Sequence, residues 1–218
     1  MRKIVKSIVI ISFILLVLAG IFFLFFRNRH TKIEGLPIEV SKFLTQEDID
    51  NLEELEYPIY FGLNPPNIGG SYLANNQRID YDKMNPRYIG SLVIDTIESF
   101  HTQTEDLKIV MDSEHVNTGI VREGDVGYMS GEDNCFTVFN LGTTKEEFGC
   151  VTNSAIIVSG CIDEEGNIEG FKKSIMMLKH NSRILCVIIP KALNQRHPIQ
   201  EGNIRIISEV DGVAERVE

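Results

Sequence analysis

The spacing of hydrophobic positions changes twice along the chain. From Ser7 to Phe26 it has no period, because the 20 residues SIVIISFILLVLAGIFFLFF carry no charge at all. That is the length a helix needs to cross a bilayer core. Lys3 and Lys6 stand before the run, and Arg27 and Arg29 follow it. The pattern predicts a transmembrane anchor over residues 1–27. Residues 28–40 have no clear period and read as a tether. In 41–56, SKFLTQEDIDNLEELE, the residues Ile49, Leu52 and Leu55 recur at helical spacing. Thr45 is placed to cap this helix, with Asp48 three residues on as a capping-box partner. Pro58 cannot continue it. A short acidic helix ending near Glu56 is expected.

After residue 68 short apolar runs alternate with Gly, Asn and Asp clusters, the texture of β-structure. Strands are expected near Gly70–Ala74, Ser91–Phe100, Leu107–Met111, Gly119–Ser130, Cys135–Leu141, Ser154–Ile162, Ile168–Lys179, Ile184–Ile189 and Ile204–Val210. Residues 130–134 and 163–167 have the composition of tight hairpin turns. GFKKSIMMLKHN, 170–181, fits either a strand or a helix, with strand preferred. Phe136 and Val138 alternate with Thr137 and Phe139, a two-sided pattern. Eight or nine strands without βαβ alternation predict a mainly β domain, an antiparallel barrel or sandwich, over 57–218. The tether and short helix occupy 28–56.

Charge sharpens this division. Residues 1–32 hold six basic residues and no acid, which leaves 15 basic and 31 acidic residues beyond them, a net of −16. So acidic a domain argues against a nucleic-acid partner, which needs concentrated positive charge. Val17-Leu18-Ala19 followed by Gly20 could be read as a signal-peptidase site, but six apolar residues follow Gly20, so the anchor is expected to stay uncleaved. The basic residues at its two ends are nearly matched. A short basic N-terminus usually remains cytoplasmic, which puts the soluble domain outside the cytoplasmic membrane.

Candidate chemistry is sparse. Cys135, Cys150, Cys161 and Cys186 match no zinc spacing. They are either buried thiols or disulfide partners, and Cys135 with Cys150 is the first pair to consider because both lie near the ends of neighbouring predicted strands. No two histidines stand three to five residues apart, so no metal site and no cofactor is expected. Asp112-Ser113-Glu114-His115 reads as a solvated loop. The alternating acids of 163–169 fail the calcium-loop pattern and read as a hairpin tip. Gly119–Gly131 lacks the ending of a phosphate loop. Many acids but no catalytic motif make an enzyme the lesser expectation. A cleft gathering His101 or His115 with carboxylates would raise it.

One stretch stands out: YPIYFGLNPPNIGGSYL, residues 57–73. Pro65-Pro66 fixes two consecutive φ angles and biases Asn64 to extended backbone, giving a stiff arm. Ile59, Tyr60 and Ile68 can pack as it crosses one end of a barrel. Pro58-Ile59-Tyr60, Gly62, Asn64-Pro65-Pro66-Asn67-Ile68, Gly70 and Tyr72 resemble a P-I-Y-x-G-x-x-P-P-x-I-x-G-x-Y motif of uncharacterised bacterial cell-envelope lipoproteins, over about residues 40–75. The resemblance implies a lipocalin-like β domain tethered to the envelope. The lipid-bearing Cys of such proteins is replaced here by Ile21, so a transmembrane helix would do the tethering. No catalytic residue is implied. The tyrosines Tyr57, Tyr60 and Tyr72 either plug the barrel end or line a ligand site. Phe100, Phe136, Phe139 and Met111 are the further candidates for a lining.

These readings lead to two functions. One is a membrane-tethered extracytoplasmic module binding a small apolar ligand inside a barrel. The other is a structural or interaction protein of the envelope with a filled β core and no ligand.

Overall fold

A computed structural model describes residues 32–119, 121–122, 124, 126–145, 151–178 and 202–217. The predicted anchor, Cys150, Cys186 and the strand expected at Ile184–Ile189 lie outside them. Among the described residues no helix is long and apolar enough to cross a membrane.

Eleven strands form one sheet. They are β1 (Gly70–Ala74), β2 (Gln77–Asp82), β3 (Thr96–His101), β4 (Lys108–His115), β5 (Val121–Arg122), β6 (Val126–Glu132), β7 (Cys135–Lys145), β8 (Val151–Ile162), β9 (Ile168–Met177), β10 (Ile204–Glu209) and β11 (Val213–Val217). The order β11-β1-β3-β4-β6-β7-β8-β9 closes on itself, because β11 also pairs with β9. The result is a closed eight-strand antiparallel barrel, and this decides between barrel and sandwich. Counted among these eight strands alone, every pairing joins neighbours in chain order except β11 with β1. β1 with β2, and β10 with β11, behave as two long interrupted strands: β1 pairs β11 and β2 pairs β10, all antiparallel. The interruptions, Asn75-Asn76 and 210–212, face each other across the closing seam.

Within the stretch 170–181 the described residues through Met177 belong to β9, a strand and not a helix, and 179–181 lie outside the described residues. The stretch Asp112–His115 continues strand β4 rather than forming a loop. The expected hairpins join β6 to β7 and β8 to β9, the second with Asn167 N donating to Asp163 Oδ1 at 2.8 Å.

The two-sided pattern of β7 has a structural cause, since both its faces are buried. Phe136 and Val138 point into the barrel, while Phe139 joins a second core outside it. That outer core is supplied by the N-terminal segment. Helix α1 (Gln46–Glu54) starts with a complete capping box between Thr45 and Asp48 and buries Ile49 and Leu52. Residues 32–40 are not a free tether either: Ile33, Leu36 and Val40 are buried in the same layer against Ala155 and Ile157 of β8. Strand residues apolar on both faces could not be exposed on one, so the chain before the barrel covers that wall.

Candidate binding site

The arm 57–69 fixes one end of the barrel. Tyr57 lies on the outer wall, where its hydroxyl donates to the carbonyls of Ile157 at 2.8 Å and Lys172 at 3.1 Å. Burial holds its hydroxyl far above the usual tyrosine range. The Tyr60 amide donates to Thr137 Oγ1, and Ser130 Oγ donates to the Tyr60 carbonyl. Gly62 and Gly131 then meet backbone to backbone, with Gly131 N donating to Gly62 O. Gly62 has φ +127°, and a Cβ there would lie 2.6 Å from the Gly131 carbonyl oxygen, so only glycine fits. From there the chain crosses to the β3–β4 connection. Gln103 takes the Ile68 amide on Oε1 and donates Nε2 to the Pro66 carbonyl. Ile68 enters the barrel core, and Tyr72 donates its hydroxyl to the Ile68 carbonyl.

Above the arm the barrel is filled. Tyr72, Phe100 and Phe136 are buried and stack edge to face, with centroids 5.9 and 6.2 Å apart. Ile68, Ile109, Met129, Ile168 and Phe171 complete a floor with 0–1% of its surface accessible.

Towards the other end the interior changes character. Glu98 shares the inner face of β3 with Phe100, and Lys173 takes the inner face of β9 opposite Val158. They form an ion pair across the barrel. Glu98 Oε1 also accepts from Thr96 Oγ1 at 2.9 Å and Ser113 Oγ at 3.0 Å. Gln77 donates to Thr96 Oγ1 and extends the network to β2. At the rim, Arg205 Nε and Nη2 both reach Asp82 Oδ2, at 2.9 and 2.6 Å. Asp82 Oδ1 accepts the amides of Met84 and Asn85 and so holds the β2–β3 connection. Burial works against the Asp82 carboxylate, yet the Arg205 bonds and these amides keep it below the usual range.

In this half Ile79, Thr96, Ile156, Lys173, Met177 and Ile207 keep 5–9% of their surface accessible. Their side chains lie on the inner wall by register. The inner wall is therefore packed most tightly at the arm end, and slightly less so at the other.

The aromatic residues expected to line a ligand site are therefore divided. Tyr72, Phe100 and Phe136 form the floor, and Met111 stands opposite Phe100 in the same core. Tyr57 and Phe139 belong to the outer core, and Tyr60 is half-buried in the arm. The period-two parity of β7 separates Phe136 from Phe139. The ion pair was not singled out from the sequence. The available signal was parity: Glu98 must face the same way as Phe100.

The remaining chemistry lies elsewhere. Cys135 is bonded to Cys161, not to Cys150. The two residues are directly opposed on β7 and β8, whereas Cys150 comes after the far end of β7. His101 Nε2 and Asp112 Oδ2 are 2.9 Å apart on the exposed outer face of β3 and β4. The Gly124 amide and this histidine hold the Asp112 carboxyl below its usual range, against the effect of burial. Among the described residues no group of three His, Cys, Asp or Glu side chains could hold a metal ion.

No family model, no curated protein and no solved structure matches this chain.

Proposed function

We propose that this chain is a membrane-tethered, extracytoplasmic binding module that takes a small, largely apolar molecule into the less tightly packed half of its barrel. The observation that carries the reading is the graded packing of the interior: an aromatic floor with 0–1% of its surface accessible, and above it an inner wall of Ile79, Ile156, Met177 and Ile207 that keeps 5–9%. A barrel of eight strands has room for either packed side chains or one small ligand, and this one divides its length between the two. The arm supports the same reading, because it seals the floor end and leaves the other as the way in.

The tethering and the compartment rest on other grounds. The uncharged run 7–26 has the length of a membrane span. The Cys135–Cys161 bond suits an oxidising compartment. The proline-rich motif resembles that of cell-envelope lipoproteins with a lipocalin-like domain.

Native mass spectrometry of the full chain tests the binding reading. A stoichiometric non-covalent adduct that disappears on unfolding is expected. A chain that carries no adduct and takes up no added small molecule would overturn it. The second reading, an interaction protein with a filled core, is favoured by one feature: Tyr88, Ile89, Leu92 and Ile94 are exposed together in the β2–β3 connection. That reading predicts retention of a protein partner and no ligand.

A further inference from the structure

Resting on the lumen reading above, the geometry points to a specific ligand class: an amphipathic molecule whose head is a hydrogen-bond acceptor, a carboxylate, held between Lys173 and Arg205. Five ionisable groups lie along the inner wall, and they do not present themselves equally. The acids are enclosed. The Glu98 and Asp82 side chains have 0% of their surface accessible, and Glu209 retains 4%. The cations face outwards from them: the Lys173 side chain is 11% accessible and that of Arg205 32%.

The cations also keep unused donors. An ammonium has three N–H groups and a guanidinium five. Among the described residues Lys173 bonds to Glu98 alone, and Arg205 bonds to Asp82 through Nε and Nη2. Among the described residues the remaining N–H groups of Lys173 and the Nη1 group of Arg205 have no hydrogen-bond partner, although the guanidinium also lies over the Tyr88 ring, 5.9 Å from its centroid. Lys173 stands opposite Ile207, and Arg205 stands opposite Ile175. The two cations are thus diagonal neighbours on adjacent strands, with Ile175 and Ile207 between them. Such spacing lets one small head group reach both.

An ammonium head would fare badly here. It would meet the two outward cations, while Glu98 Oε1 and Asp82 are already bonded and the unpartnered Glu98 Oε2 and Glu209 oxygens are enclosed. A carboxylate accepts the spare N–H groups, which are stronger partners for an ionised acceptor than for a neutral one. The apolar body then lies on Ile79, Ile156 and Met177 above the aromatic floor.

Isothermal titration calorimetry with the full chain in nanodiscs tests this, with empty nanodiscs as the blank. The probes are 4-phenylbutanoate, 4-phenylbutan-1-ol and 4-phenylbutylamine, which share one body and differ in the head. The carboxylate is expected to bind at least about tenfold more tightly than the amine, with the alcohol between them. Lys173→Met alone would strand the buried Glu98 charge. The paired change Glu98→Gln with Lys173→Met avoids that and is expected to cut the carboxylate-to-amine preference to below about threefold. Equal binding of the three heads, or tighter binding of the amine, overturns this inference and leaves the binding module standing. Failure of every probe, together with no adduct in native mass spectrometry, overturns both.

Discussion

Glu209 is the residue at which the fold is most exposed to pH. It lies opposite Gln77 on the closing seam, and among the described residues neither of its carboxylate oxygens has a hydrogen-bond partner. Burial pushes its carboxyl up to about 7 from an ordinary 4.5; the Asn75 backbone opposes this, and the charges of Asp211, Asp95 and Glu215 reinforce it. The folded state therefore holds this proton more tightly than the unfolded chain does. Its stabilising effect is complete below about pH 4.5 and is lost as pH rises through about 7. Glu209→Gln should flatten the denaturation profile across that window. Above pH 7 it should raise stability by roughly 1–3 kcal/mol, a figure already reduced for solvent screening. An unchanged pH profile in the variant would show that the carboxyl finds a partner in solution. At Gly62 the constraint is steric. Gly62→Ala should cost about 1–3 kcal/mol in chemical denaturation, because the added Cβ meets the Gly131 carbonyl and the residue has positive φ.

Among the elements, α1 and the arm matter most. Both were legible in the sequence because their signals are local. Thr45 and Asp48 lie three residues apart, and the stiffness of Pro65-Pro66 is intrinsic. Thr45→Ala should lower stability by about 1 kcal/mol, read by urea denaturation. Ile68→Ala, which removes the part of the arm inside the core, should cost about 2–5 kcal/mol. A loss as small as that of a surface substitution would mean that the arm does not seal the barrel. What the sequence hid is mostly long-range. Lys173 and Glu98 are 75 residues apart and meet only once the barrel has closed. Cys135 finds Cys161 through the register of β7 on β8, which spacing alone does not state. β2 and β11 were missed because QRIDYD carries a charge at every second position and VAERV has two adjacent charges in five residues, so neither contains an apolar run. The packing of Ile33, Leu36 and Val40 escaped notice for a different reason: an irregular segment buries side chains without any period.

At the scale of the whole molecule, the barrel carries two cores on the two sides of one wall. The outer one, built from the N-terminal segment, lets β7 and β8 be apolar on both faces. The inner one is apolar and most tightly packed at the arm end and gives way to an ion pair and a rim clamp at the other. That gradient separates a binding module from a filled scaffold, and methyl NMR reads it directly. The full chain in nanodiscs, labelled at Ile and Met methyls, is titrated with 4-phenylbutanoate. Shifts should concentrate at Ile79, Ile156, Ile175, Met177 and Ile207, while the floor methyls of Ile109 and Met129 and the outer-core methyls of Ile33 and Ile49 stay in place. No shift at the upper inner wall, or shifts spread equally over the outer core, would contradict a half-filled, ligand-accessible barrel.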